Sequence, residues 1–180
     1  MRLPYVSDPI SARNDAEAAI IDRVRERRKP GLLLELDRAL LYSPSIADGW
    51  NSLFGSIRQQ SSLSADIREL AICHVAVLNK AQFEWTHHAP LAAEAGVNLE
   101  ALKLDGEGLT RKQLAVFRYT DDMKKYIFVK EEVFQELKFH FTDVEVVEIT
   151  ATVAVYNCCS RFLVALDVGE RNGMIEINQW

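Results

Sequence analysis

Only three of the 180 residues are cysteine (Cys73, Cys158 and Cys159), and no Cys-x-x-Cys occurs. An odd count with two neighbouring thiols is not a disulfide framework. The vicinal dithiol of a redox centre is missing as well. Glycine and proline are scarce, at 8 and 5 residues. With no Gly/Ser linker and no low-complexity tract, one domain over residues 1–180 is expected. Positive charge is not in excess: the formal net charge is −5, which speaks against a nucleic-acid partner. The one basic run, RVRERRK from Arg23 to Lys29, contains a glutamate, lies in a helical pattern and reads as a solvated face. The N-terminal MRLPYVSDPIS has no apolar signal core. Apolar stretches break well short of the roughly 18 residues a membrane span needs. A soluble, cytoplasmic protein without a membrane partner is expected.

What is present is hydrophobic periodicity near 3.6 residues, not 2. Ala16, Ile20, Ile21 and Val24 form one stripe, within an N-terminal helix expected over 12–29. Leu34 to Leu41 form a short segment stopped by Pro44, and Trp50, Leu53, Phe54 and Ile57 a third. Ile67, Leu70, Ala71, His74, Val75 and Leu78 repeat most regularly, after Ser64 as N-cap and Asp66 in the first turn. Thr110 with Gln113, and Thr142 with Glu145, have capping-box spacing and open two further helices. A short helix is expected between them, over residues 130–141. The total is an all-α bundle of about eight helices. Ile127-Phe128-Val129 has strand propensity but is too short and has no partner. HVAVLN (74–79) and TVAVYN (152–157) match at four of six positions, each inside a long helix. Apolar residues in the tail (Met174, Ile175, Ile177 and Trp180) lead us to expect a homo-oligomer.

The chemistry gathers in FEWTHHAP, residues 83–90. Glu84 stands three residues before His87 and four before His88, so on a helix either imidazole can meet the carboxylate. Such a pair suits acid/base work near neutral pH. A solvated helix face with one ion pair fits the same residues. Glu84-x-x-His87 also has the spacing of a di-iron helix. The remaining histidines, His74 and His140, follow Ala71 and Leu137 at that spacing, so no second motif completes a metal site. Neither a metal nor another cofactor is expected. Cys73 lies one turn after Glu69, whose charge would oppose thiolate formation. Cys158 and Cys159, in an apolar helix, read as core. Pro90 should bend or loosen the helix just past the histidines.

The stretch from Asp66 to Gly96, with Arg68-Glu69-Leu70 and then Phe83-Glu84-Trp85-Thr86-His87-His88, resembles the core motif of the carboxymuconolactone decarboxylase family. WNSLFGSIRQQSSL before it and VAVYNCCSRFLVAL after it fit that family's all-helical layout. The resemblance spans roughly residues 40–170, leaving a short tail at 171–180. It implies the alkylhydroperoxidase D-like fold. Relatives of that name carry a glutamate, Cys-x-x-Cys and a histidine. Aligning their histidine with His88 puts Glu69 on their glutamate, and Ala81 and Glu84 on the two thiols. The resemblance therefore implies cofactor-free decarboxylation, or related lyase or isomerase chemistry, on a small carboxylated lactone. It makes His88 the general acid/base, Glu84 its orienting partner and Glu69 a second acid/base from the neighbouring helix; a turn between Leu78 and Gln82 should fold the two helices back so that Glu69 and His88 meet around one pocket. Trp85 and His87 would line the substrate pocket or a subunit contact. Phe83 replaces the more usual tyrosine, and His87 adds an imidazole. Two other functions compete: a thiol-dependent hydroperoxide reductase using Cys73, and a non-catalytic oligomeric protein that keeps the fold.

Overall fold

The computed structural model describes residues 1–30 and 32–170. The apolar tail residues invoked for assembly lie outside them. Nine α-helices and one π turn occur among the described residues, and no strand. In order, the helices are α1 (Asp15–Arg28), α2 (Glu35–Leu40), α3 (Pro44–Gly55), α4 (Ala65–Asn79), α5 (Gln82–Glu94), α6 (Leu99–Lys103), α7 (Arg111–Tyr126), α8 (Glu131–His140) and α9 (Asp143–Leu166). The π turn, Ser56–Gln60, continues directly from α3.

The sequence-based count fell one short because α6 has only five residues, too few to show a period. A local cap starts it: the Asn98 side chain accepts from the Glu100 N–H. Both expected capping boxes form, at Thr110/Gln113 and Thr142/Glu145. Ser64 occupies the N-cap of α4, but its side chain makes no capping bond. Asn14, accepting from the Glu17 N–H, starts α1 later than position 12. The helical assignment of α5 runs unbroken through Pro90. Thr86 and Pro90 are both exposed, one turn apart, so the Thr86 carbonyl that Pro90 cannot serve is available to solvent.

Helix α4 is the hub and packs on α5, α6, α7 and α9. Ile67, Leu70, Ala71, Ile72, Val75 and Ala76 in it are essentially inaccessible. Its other long partner, α9, is apolar and long enough by composition to cross a membrane. Here it runs against the core, with Ile149, Val153, Tyr156 and Leu163 buried. The echoed hexapeptides lie on these two helices. Their final residues meet: the Asn79 side-chain amide donates to Asn157 Oδ1 at 3.0 Å. Lys80, in the left-handed region at φ +54°, ends α4 and turns the chain into α5. The adjoining helices then pack together, which brings positions 69 and 88 face to face.

Candidate active site

Glu69 on α4 and His88 on α5 meet inside the protein. His88 Nδ1 and Glu69 Oε2 are 2.6 Å apart, and the two residues are 6% and 2% exposed. Burial alone would raise the Glu69 carboxyl. The hydrogen bond from His88 and the nearby charges of His88, Arg58 and Arg68 outweigh it and hold Glu69 below the usual carboxylate range. Burial pushes His88 down, against the pull of Glu69. The pair that results is a carboxylate accepting from the Nδ1–H of a neutral imidazole, with Nε2 bare. The Tyr156 ring stands edge-on to the imidazole, with centroids 5.2 Å apart.

His88 and Glu84 line one cavity of about 220 Å³. Apolar walls come from Trp50, Phe54, Phe83, Tyr156 and Leu163. Trp50 and Phe54 stack along one wall, with centroids 4.8 Å apart. Against this apolar lining stand three arginines: Arg27, Arg28 and Arg58. Arg28 is committed to Asp37 through two 2.7 Å bonds. Arg27 hydrogen-bonds Asn51, and burial pushes its guanidinium down. Arg58, on the π turn, has no hydrogen bond or ion pair among the described residues. Its charge acts on Glu69 through space, and it stands at the wall of a mostly apolar cavity. Such π turns are often found at functional sites.

Glu69 also lines a second, more open hollow with Arg58, Arg68 and Glu94. The Glu69–His88 couple therefore connects the outer hollow to the inner cavity.

Several sequence-based assignments need correction. Glu84 does not orient His88: Glu69 takes the imidazole. Glu84 faces α9 instead, where its Oε1 accepts from Ser160 Oγ at 3.0 Å. Its Oε2 is buried without a partner. Burial raises this carboxyl from 4.5 to about 8, against smaller opposing effects from Ser160 and Cys159. Trp85 is absent from the cavity lining. It packs partly against the core, with the Lys103 ammonium 5.9 Å from its ring centroid. Trp50 supplies the indole at the cavity instead. His87 reaches the cavity from the exposed side of α5. Its Nδ1 lies 2.7 Å from the Phe83 carbonyl.

The basic run is not wholly solvated either. The side chains of Arg27 and Arg28 are only 12% and 14% exposed, because the cavity and the buried Asp37 draw them in. Arg23 and Arg25 do stay at the surface, paired with Asp48 and Asp8.

Among the thiols, Cys73 is buried, and burial pushes it well up. Cys159 lines the cavity beside Glu84 and is likewise raised by burial. Cys158 is exposed, not core, because it lies on the outer face of α9. Among the described residues, no three His, Cys, Asp or Glu side chains gather as metal ligands.

Sequence reading missed Arg58, Trp50, Ser160 and the cavity role of Cys159. Trp50 was visible only as one member of an apolar stripe. Nothing in SIRQQ marks its arginine, because a π turn leaves no distinctive pattern.

Comparison with known proteins agrees with this architecture. The family model for "Carboxymuconolactone decarboxylase family" matches residues 44–104. No curated protein matches the chain by sequence. An uncharacterised peroxidase-related protein from Silicibacter sp. TM1040 superposes with a TM-score of 0.73 at 16% identity, covering 94% of this chain and 95% of that one. An Agrobacterium tumefaciens protein of unknown function, described as a candidate antioxidant defence protein AhpD, gives 0.65 at 20% identity. That match covers 70% of this chain and 90% of its counterpart. The debrominase Bmp8 gives 0.66 at 17% identity, over 88% of each chain. At these identities the solved structures speak to the fold alone. Residues 44–104 thus match the carboxymuconolactone decarboxylase family model, and the described chain has the all-α alkylhydroperoxidase D-like fold.

Proposed function

We propose that the protein is a cofactor-independent acid/base enzyme that decarboxylates a small carboxylated lactone. One observation carries this reading: His88, held by Glu69, lines a largely apolar cavity that Arg58 also lines, with no hydrogen bond or ion pair of its own among the described residues. The guanidinium suits a carboxylate that stays on the substrate. The leaving carboxylate would face the apolar wall of Phe54, Tyr156 and Leu163, where a charge is poorly solvated and its loss as neutral CO₂ is favoured.

When the C–C bond breaks, its electron pair enters the conjugated lactone and reaches the carbonyl oxygen. Carbon must then gain a proton. His88 can take up a proton at Nε2 on the cavity side, as an imidazolium whose Nδ1–H Glu69 accepts, and deliver it to that carbon. Its lowered basicity makes the imidazolium a ready donor. The buried, raised thiols weigh against a thiolate reductase.

The test is turnover of γ-carboxymuconolactone, followed by CO₂ release. His88→Ala should reduce kcat by about 10²–10⁴-fold, the usual range for a positioned acid or base. Arg58→Met should act mainly on KM. An unchanged lactone, or a folded His88→Ala as fast as the parent, would overturn the reading.

A further inference from the structure

Helix α9 is apolar on two opposite faces. The inner face gives Ile149, Val153, Tyr156 and Leu163 to the core. The outer face runs through Val144, Val147, Ala151, Ala154, Cys158 and Arg161, at alternating steps of three and four residues. Ala151 is half-buried and the other five are exposed. Only Arg161 among them is charged. The outer face of a solvated helix is normally polar, whereas this spacing of apolar residues is that of a helix–helix seam. Leu53 of α3 widens the apolar surface beside it, around a hollow of about 320 Å³ that Val147 and Ala151 also line.

Charge on the same helix identifies what fits this face. The first two turns of α9 carry Asp143, Glu145 and Glu148, and its last two turns carry Arg161. Two copies of α9 laid antiparallel bring each Arg161 to the acidic end of the other copy, and their helix dipoles also oppose. Laid parallel, acid meets acid and Arg161 meets Arg161. A lipid surface fits less well. Helices that lie on membranes flank their apolar face with lysine and arginine, and here the flanking charge is mainly acidic.

We propose that the outer face of α9 is a two-fold interface with a second copy of this chain, in which the two α9 helices run antiparallel. The axis passes between Ala151 and Ala154, where short side chains let the helices come close. In this register Ala151 meets Ala154, Val147 meets Cys158 and Val144 meets Arg161. Each contact is made twice, as a two-fold axis requires. The Arg161 stem covers the facing valine. Its guanidinium, held on one side by Asn157, reaches Asp143 and Glu145 of the other copy. The inner face of the same helix lines the cavity with Tyr156, Cys159 and Leu163, so the pairing backs one wall of the candidate active site whatever its substrate.

Cross-linking in the full-length protein tests both the face and the direction. Val147 and Cys158 of one helix are about 16 Å apart along its axis, too far for a disulfide within one chain. Val147→Cys, oxidised with copper–phenanthroline, should therefore give a covalent dimer, with mass spectrometry finding the bond between the introduced thiol and Cys158 of a second copy. The parent should give none, because across an antiparallel interface its two Cys158 residues also stand about 16 Å apart. Ala154→Glu sets two carboxylates at the axis. It should weaken the pairing by about a hundredfold or more and halve the sedimenting mass, with circular dichroism unchanged because Ala154 is exposed.

No cross-link from Val147→Cys, or an unchanged mass in Ala154→Glu, overturns the proposal. A bond between two Cys158 residues in the parent makes the pairing parallel and overturns it too. So does a monomeric parent. Binding of that monomer to phosphatidylglycerol vesicles would give the face to a lipid surface, and slow labelling of Cys158 by a thiol reagent would give it to residues 171–180 of the same chain.

Discussion

Replacing Glu84 with glutamine should change the pH dependence of stability in a direction fixed by its burial. In the native protein the carboxyl titrates near 8, against an ordinary 4.5. Between those values the unfolded chain is ionised at this position and the native chain is not. The native state therefore binds more protons, and raising the pH favours unfolding. The contribution is fully present below the unfolded pKa and has gone once pH passes the native one. Its slope is about 1.4 kcal/mol per pH unit, which accumulates to roughly 5 kcal/mol across the window from 4.5 to 8. That is comparable with the whole stability of many domains. Glutamine cannot ionise, so subtracting the two proteins cancels groups elsewhere. Urea unfolding should be followed for both from about pH 5 to about pH 9, with the midpoint and slope determined separately. The parent should lose stability relative to Glu84→Gln as pH rises, and the difference should level off above about pH 8. Parallel curves would mean that Glu84 is solvated or paired with a cation in solution, and the neutral-acid argument would fail.

Cys73→Ala, with folding checked by circular dichroism, should leave most turnover intact, because burial keeps that thiol protonated. A large loss would favour thiol chemistry. Chelator treatment should leave turnover unchanged; inactivation restored by added metal would contradict the acid/base account. Sedimentation should show a homo-oligomer. Val144 and Val147 on the outer face of α9, with Leu53 nearby, are at least half or nearly half exposed, at 62%, 67% and 49%. A 20.4 kDa species at working concentration would remove that expectation.

The fold was legible where helix signals are local. Thr110/Gln113 and Thr142/Glu145 announced two helices through backbone capping that depends on nothing distant. The stripe from Ile67 to Leu78 marked the hub helix because its apolar residues had to be buried together. The Glu69–His88 meeting was legible for the same reason, since only the tight turn at Lys80 separates the two helices. Glu84 was misassigned for a physical reason. The i, i+4 rule says which residues can meet, but two acids competed for one imidazole and the tertiary contact won. Ser160, 76 residues away, decided where the losing acid turned. Arg58 was illegible because its meaning lies in standing at the cavity wall without a hydrogen bond or ion pair among the described residues, and only the packed structure shows that.

The most direct test of the account runs γ-carboxymuconolactone with the parent protein in D₂O and follows the product by mass spectrometry and NMR. The account predicts CO₂ release with one deuterium placed on the carbon that regains a proton, at a rate that collapses in His88→Ala while the variant remains folded. A lactone left intact by the parent, or deuterated product formed as quickly by His88→Ala, would contradict it.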